Sequence, residues 1–318
     1  MKAFIVSLAV NTLLAFMSAC SAEGALKPEL KPELKPELKP ELKPETVASS
    51  AAERSPVDHA GYDKIPPPIS EYMTRPAMLV FSKTREWRHE DGIAGADLHM
   101  LKLSREMGCG IFTTENSAVF NQADLKHFKL VVLNNYTGDS ISPKQQLALQ
   151  NWVEAGGGVL ALHGSGDSSH GAWQWYANTL IGPTFIGHPS SPQMQAARVE
   201  ILAKDHPIAA DISQSWTAVE EWYSFDSVPD ENFTVIAGVD ESTYIAANPD
   251  YGLADLRMGE GAANHPIMWS RCVGKGRSFF SALGHLETAY DNPHYVKILE
   301  NAAHWVVGDT DPENKGCR

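Results

Sequence analysis

The sequence predicts an α/β domain: a flavodoxin-like, doubly wound, mostly parallel sheet with helices on both faces. Three observations carry that reading. Short apolar runs, Ala77–Ser82, Leu130–Leu133 and Val159–Leu162, have the length and continuity of strands buried on both faces. Segments of helical period between them are long enough for parallel crossovers. Polar, glycine-broken turns follow the strands, above all His163-Gly164-Ser165-Gly166-Asp167, and ligands of open α/β sheets bind outside the carboxyl ends of the strands.

Ala77–Ser82 opens the fold, and the polar loop Lys83–His89 leads into a helix over about Glu90–Met107. Ile93, Ala96, Leu98, Leu101, Leu103 and Met107 give that helix its apolar stripe. Gly108–Thr113 and Leu130–Leu133 are the next strands. Ser142 then caps a helix to about Glu154, with Pro143 at its first position and Gln146 near the capping-box place. Gly156–Gly158 closes it, and the central strand Val159–Leu162 follows. Trp173–Ile181 reads as a short helix; Ala197–Leu202, Phe233–Gly238, Ile267–Cys272 and Arg277–Leu283 read as strands. Pro293–Val307 is the closing helix, with Leu299, Ala302, Ala303 and Val306 inward.

The segment ahead of this domain has another character. Lys2, the apolar run Ala3–Met17 and the small residues Ser18-Ala19 form a signal peptide over 1–19, too short for a permanent membrane span. Cys20 stands where a bacterial lipobox places its acylated cysteine. Five repeats of Leu-Lys-Pro-Glu fill Leu26–Glu45, and a proline at every fourth residue favours extended chain over helix. Residues 20–74 thus read as a lipidated cysteine and a Pro-rich linker, 75–309 as the folded domain and 310–318 as a tail. The expected location is exported and lipid-anchored to a bacterial membrane, facing the periplasm or the cell surface.

Of the 318 residues, 43% are hydrophobic and 20% charged, an ordinary globular balance. A formal net charge of −13 argues against a nucleic-acid partner. There is no CxxC, hence neither a zinc ribbon nor a thioredoxin motif. Cys272 reads as an inert thiol in an apolar strand, and spacing alone does not pair Cys109, Cys272 and Cys317.

Candidate site groups fall after predicted strands: Arg88 and His89, then Asn134, Asn135 and Thr137, then His163, Ser165 and Asp167, and Gly284-His285-Leu286-Glu287. His188, Glu220-Glu221-Trp222-Tyr223 and His265 lie between them. Imidazoles with a carboxylate can bind zinc or another divalent metal, or serve as a general acid and base near neutral pH. HExxH and HxH are both absent, so metal ligands would have to converge from distant segments. Ser165 lacks the GxSxG frame of a nucleophile elbow. Trp222 and Tyr223, with Trp173, Trp175 and Tyr176, offer faces on which a sugar ring could stack.

AGGGVLALHGSGDS (155–168), GHP (187–189), DHPIAADI (205–212), EEWYSF (220–225), HPIMW (265–269) and ALGHLETAYDNP (282–293) together resemble the ThuA-like (trehalose-utilisation) family. The resemblance spans Ala77 to Gly308. It implies a fold similar to class I glutamine amidotransferases, without their chemistry, since His163 stands near the place of their elbow cysteine. It also implies a small-molecule carbohydrate, a sugar or keto-glycoside, as ligand. Carried to this chain it marks His89, His163, Asp167, His188, Glu221, His265 and His285, and leaves Asn248–Gly261 as extra residues at the pocket rim. The expected roles are catalytic for His163, Asp167, Glu221 and His285. Substrate binding falls to His89, Asn135, Trp222 and Tyr223, and metal binding to His163, His188, His265 and His285. The alternative is a non-catalytic carbohydrate-binding or surface interaction domain of the same fold.

Acylation needs the Cys20 thiol, so mass spectrometry of the mature amino terminus is expected to show acylated Cys20. A major species beginning beyond Cys20 with a free amine overturns the lipid anchor.

Overall fold

The computed structural model describes residues 61–311, 316 and 317. The signal, Cys20 and the Leu-Lys-Pro-Glu repeats lie outside them. Fifteen regular elements follow in chain order: β1 Ala77–Phe81, α1 Glu90–Glu106, β2 Gly110–Thr114, α2 Gln122–Leu125, β3 Phe128–Asn134, α3 Pro143–Glu154, β4 Gly158–Leu162, β5 Phe185–Gly187, β6 Met194–Ile201, β7 Ser215–Glu221, β8 Ser224–Phe225, β9 Phe233–Asp240, β10 Pro266–Val273, β11 Gly276–Ser281 and α4 Pro293–Val306.

Nine strands form one sheet in the order β2-β1-β3-β4-β11-β10-β9-β6-β7, and β5 pairs with β8 apart from it. The first five run parallel. From β11 onward every pairing is antiparallel, down to the β6–β7 edge. The fold is therefore the predicted α/β sheet, with an antiparallel wing added beyond β11. Every residue of β1, β4 and β11 is buried, as strands covered on both faces must be.

Local chemistry explains the helix ends. Glu90 and Asp91 occupy the first turn of α1 and Arg105 its last, complementing the helix dipole. Asn292 caps α4 by accepting from the backbone N–H groups of His294 and Tyr295, and Pro293 follows at the first position. At α3 the capping partner of Ser142 is Gln145, whose Oε1 accepts the Ser142 N–H at 2.8 Å; Gln146 instead donates to the Ile141 carbonyl. The predicted helix over Trp173–Ile181 ends as a wide π-turn, Tyr176–Ile181, stopped by Gly182 at φ 91°.

β7 was not predicted. It is an edge strand whose exposed and buried residues alternate, and only Trp216 and Ala218 mark its apolar face before two glutamates interrupt it. Cys272 is corrected as well: it is disulfide-bonded to Cys317, Cα to Cα 5.4 Å, while Cys109 is free. A 45-residue separation and a tail position hid that pairing from the sequence. The crosslink holds the tail where Arg277 donates to the Trp305 and Asp311 carbonyls, both at 2.6 Å.

Helix α4 seats directly on β4. A Cβ built on Gly158 would lie 2.7 Å from the Val306 carbonyl oxygen and 3.0 Å from its Cγ2. Gly158→Ala is therefore expected to destabilise the domain by about 1–3 kcal/mol, the usual cost of overpacking against backbone. Urea unfolding checks this, and an unchanged midpoint would show that the helix can shift without penalty.

Candidate functional site

Strands β4 and β11 end level with one another, and β1 ends within one residue of them. Leu162, the last residue of β4, pairs with Ser281, the last of β11. His163 and Ala282 thus leave the sheet side by side. The His163 ring is fully buried, and its Nδ1 lies 2.7 Å from the Ala282 carbonyl oxygen. A carbonyl can only accept, so Nδ1 carries the proton and Nε2 presents its lone pair. That lone pair faces His285 Nδ1 at 3.1 Å and Glu221 Oε2 at 3.3 Å.

The His163 backbone has φ 43°, the left-handed region that a non-glycine residue occupies at a cost. Its neighbours hold it there. Asn135 Oδ1 accepts the Gly164 N–H at 3.2 Å. Ser165 Oγ donates to the Leu133 carbonyl at 2.8 Å and accepts from the Tyr136 N–H at 2.9 Å. Ser165 is therefore a brace of the turn, with its hydroxyl already committed.

Glu221, at the end of β7, joins the groups. Its Oε2 lies 3.2 Å from His285 Nδ1; its Oε1 lies 3.2 Å from His188 Nδ1 and accepts a short bond from Gln193. In a flat sheet β7 would stand four strand spacings from β11, about 19 Å. Contact with His285 means that the antiparallel wing and the turn after β11 bend toward each other. Glu220 secures this junction: its carboxyl accepts the Gly284 N–H at 3.1 Å and the His285 N–H at 3.4 Å.

His89, just after β1 and before α1, completes the cluster. Its ring stands edge-on to His163, centroids 4.6 Å apart, and to His285 at 5.0 Å. His89 Nδ1 is buried and has no hydrogen-bond partner. His89, His163, Glu221 and His285 each offer one ligand atom, and the four atoms lie within 4.8 Å of one another.

Burial and mutual proximity set the charges. Burial, then the neighbouring imidazoles His163 and His285, lowers the His89 pKa to about 2. Burial also lowers His163, against the pull of Glu221. Burial would raise Glu221, but the adjacent His163 and His285 rings, with His285 Nδ1 donating to Oε2, hold it well below the usual carboxylate range. For His285 burial acts downward, and the bond to Glu221 with the charge of that carboxylate raises it. Glu220, fully buried, is pushed up to about 8 by desolvation despite its two backbone donors. Two adjacent glutamates thus differ in charge at neutral pH: Glu220 neutral, Glu221 ionised.

The structure gathers His89, His163, Glu221 and His285, all named from the sequence, and sets His188 against the outer oxygen of Glu221. Tyr223 walls the site, its ring 4.3 Å from that of His163. Other expected site residues stand elsewhere. His265 has one ring nitrogen 2.7 Å from Glu241 Oε1 and the other 2.8 Å from the Tyr223 carbonyl oxygen, so neither is free for an ion. Asp167 is occupied with the Ser169 backbone and hydroxyl and lies 3.5 Å from His170, outside the cluster. Asn135 spends both ends of its amide on Gly164 and Asn134. Trp222 is wholly buried and donates to the Gln195 carbonyl, since side chains alternate along the chain and Tyr223 takes the site side. Gln193 is a supporting residue that the sequence did not single out, and it carries no motif of its own; Glu220 was named beside Glu221, but without the role of holding the main chain under His285. A groove of about 810 Å³ between α2 and α3, lined by Phe120, Leu125, Leu147 and Trp152, contains none of these groups.

A profile of the ThuA family, described as trehalose utilisation, matches residues 77–306. The chain belongs to the ThuA family. Its family description assigns a carbohydrate-related role. A ThuA-like protein from Bacteroides uniformis superposes with a TM-score of 0.62 at 19% identity, covering 78% of this chain and 98% of that one. A ThuA-like protein from Parabacteroides merdae gives 0.55 at 16% identity, covering 74% and 91%. At such identity these likenesses speak for the fold alone. No curated protein matches the chain.

His170 supplies a pH test of the turn that carries His163. Its Nε2 lies 3.0 Å from the Tyr136 carbonyl oxygen, its ring stacks on Tyr136, and burial lowers its pKa to about 4. The folded state keeps it neutral where the unfolded chain, near 6.5, takes up a proton. Its contribution to stability is therefore complete above pH 6.5 and is lost as pH falls toward 4, by on the order of 1.4 kcal/mol per pH unit. In metal-free protein, His170→Gln is expected to flatten the slope of unfolding free energy between pH 6.5 and 4 by about that amount. Equal slopes for variant and parent would show that His170 is already charged in the fold.

Proposed function

We propose that this ThuA family member is an exported, lipid-anchored enzyme that processes a sugar or keto-glycoside at a divalent metal centre. The observation that carries the reading is the convergence of three imidazoles and one carboxylate from four distant segments at ligand distance. The donor set fits zinc, which takes nitrogen and carboxylate oxygen ligands in fours or keeps a position open for chemistry. The proton on His163 Nδ1 and the unbonded Nδ1 of His89 suit the same use, because a ligating imidazole must be neutral at the ligating nitrogen.

His89, His163, His285 and Glu221 would hold the ion. Such an ion polarises a carbonyl or lowers the pKa of bound water. The remaining groups have roles of their own. Glu220 fixes the main chain that presents His285, Gln193 and His188 fix the outer oxygen of Glu221, and Tyr223 excludes water from one side. His188 is half-buried: its Nδ1 donates to the Pro189 carbonyl at 2.9 Å and lies 3.2 Å from Glu221 Oε1, and its Nε2 lies 3.1 Å from the Tyr251 hydroxyl, so its ring stands between the carboxylate and the rim. Hydrolysis, elimination and isomerisation of a keto-sugar all draw on polarised oxygen and a mobile proton. Cysteine-dependent amide transfer does not fit, because His163 occupies the elbow and Cys109 is the free cysteine among the described residues.

Export rests on the lipobox-like sequence and gains support from the Cys272–Cys317 disulfide, a bond of oxidising compartments. No helix among the described residues is long and apolar enough to cross a membrane, so attachment would rest on Cys20.

Titration calorimetry with zinc is expected to show one tight site in the full-length protein. His163→Ala and Glu221→Gln should each weaken it at least about 100-fold, beyond the range of losses seen on removing supporting groups, with the fold retained by circular dichroism. His265→Gln should leave zinc affinity unchanged. Parent protein that takes up no divalent ion, or ligand variants that bind as the parent does, would overturn the metal centre.

A further inference from the structure

Away from the cluster, the groove between α2 and α3 encloses about 810 Å³. Small-molecule sites fall between about 300 and 1,000 Å³ and are lined mainly by apolar side chains with a few polar groups. The floor here is apolar: Phe120 and Leu125 are buried, and Trp152 is half-buried. The Trp152 ring is seated on Gly157, where a Cβ would come within 2.3 Å of its Cε3. Leu147 forms an open wall and keeps 55% of its surface in water.

The rim carries charge of one sign. Lys64, Lys126 and Lys144 line it, all exposed, and none forms an ion pair among the described residues. Asp63 is the acid in the lining, and its carboxylate is taken: Oδ2 accepts from Lys83 and from the N–H and hydroxyl of Ser117. In a chain of formal charge −13, three uncommitted lysines around an apolar floor reverse the sign locally. The groove is therefore complementary to an anion with an apolar body.

The amides between floor and rim decide which anion fits. Asn121 Oδ1 accepts from the Ala123 and Asp124 N–H groups, and its Nδ2 donates to the Ala118 carbonyl and to Asp124. Gln145 Oε1 accepts the Ser142 N–H, and its Nε2 donates to the Asp63 carbonyl, both at 2.8 Å. A peptide laid in the groove brings backbone N–H groups that need acceptors. Lysine offers donors only, and these amides are already committed. An alkyl chain makes no such demand, and a carboxylate at its end accepts from lysine.

We propose that the α2–α3 groove is a second binding site, which takes a free long-chain carboxylate. Its alkyl chain lies over Phe120, Leu125, Leu147 and Trp152, and its head meets the lysines at the rim. Apolar burial grows with every methylene, so chain length sets the affinity. Exposed ion pairs contribute modestly, so the lysines set the preferred sign of the head rather than the bulk of the binding. The site shares no residue with the histidine–carboxylate cluster and does not depend on the reaction carried out there.

Titration calorimetry on the full-length, unacylated chain tests the site, with octanoate, decanoate and dodecanoate as probes below their micelle concentrations. Affinity should rise on the order of tenfold for each added pair of methylenes. Dodecanoate should bind about tenfold or more tightly than dodecyltrimethylammonium. Leu147→Glu sets a carboxylate in the open wall and should weaken dodecanoate by about tenfold or more, with the urea midpoint unchanged. Replacing Lys64, Lys126 and Lys144 together by Gln should remove the preference for the anion and keep the dependence on chain length. That variant touches exposed side chains alone, so it decides the matter even where Leu147→Glu disturbs the fold. Absence of dodecanoate binding, affinity indifferent to chain length, or equal affinity for the cation overturns the site. So does dodecanoate binding that neither variant alters, because the amphiphile is then held elsewhere. Binding to phosphatidylglycerol vesicles without binding of the free carboxylate makes the groove a membrane contact and overturns the proposal as well.

Discussion

The hydrogen bond from His163 Nδ1 to the Ala282 carbonyl ties the carboxyl end of β4 to that of β11, and the site depends on it. Parallel register brings the two residues level, so a ring turned sideways from the end of one strand meets the carbonyl leaving the other. The bond settles the tautomer and aims Nε2 away from the sheet. It also requires a left-handed backbone at a residue with a Cβ, a strain of order 1–3 kcal/mol. Asn135, Ser165 and Tyr176, which donates to the Ser165 carbonyl at 2.6 Å, lock the turn and offset that strain. Polar residues beside His163 therefore serve it mechanically.

The two halves of the sheet contribute different things. The parallel half supplies imidazoles, because the loops after β1, β4 and β11 open onto one edge and carry His89, His163 and His285. The antiparallel wing supplies the carboxylates. Consecutive side chains on β7 point to opposite sides, and Glu220 and Glu221 divide the work accordingly: one holds the main chain beneath His285, the other meets the histidine rings. Isolated burial of a carboxylate would be costly, and each glutamate avoids that cost differently. Glu220 stays neutral, and Glu221 stays ionised among imidazoles. An ion held by the same four groups would stabilise the wing against the parallel half, so folding and binding share one junction.

Much of this was legible in the sequence, and the limits have physical causes. β1, β4 and the Leu130–Leu133 stretch of β3 announce themselves because strands covered on both faces are apolar without interruption, and β11 does so through its Phe279-Phe280 centre. β7 does not, because an edge strand alternates and its last two residues are charged. His163, His89 and His285 could be placed at strand ends, and strand ends converge in this kind of sheet. His265 sits in an equally suggestive motif, yet its ring is consumed by Glu241 and the Tyr223 carbonyl. Which way a side chain turns at the end of a strand is decided by partners far off in sequence, and spacing carries no record of them. Trp222 and Tyr223 show the same limit at one residue's separation: one fills the core and the other lines the site.

The His265 arrangement also explains how the rim can vary while the cluster stays fixed. Glu241 accepts from the Met258 and Gly259 backbone and bears on His265, which reaches the Tyr223 carbonyl. This buried strut anchors the segment carrying Tyr251 to the wall that backs His163, through bonds that involve none of the four potential ligands. Residues at the tip of that segment, between the Ala247–Asp255 bridge and His188, can then change without moving Glu221 or the histidines. Precision comes from rigid strand ends and selectivity from an anchored loop. A chain built in this way can hold the cluster fixed while the tip of Asn248–Gly261 changes.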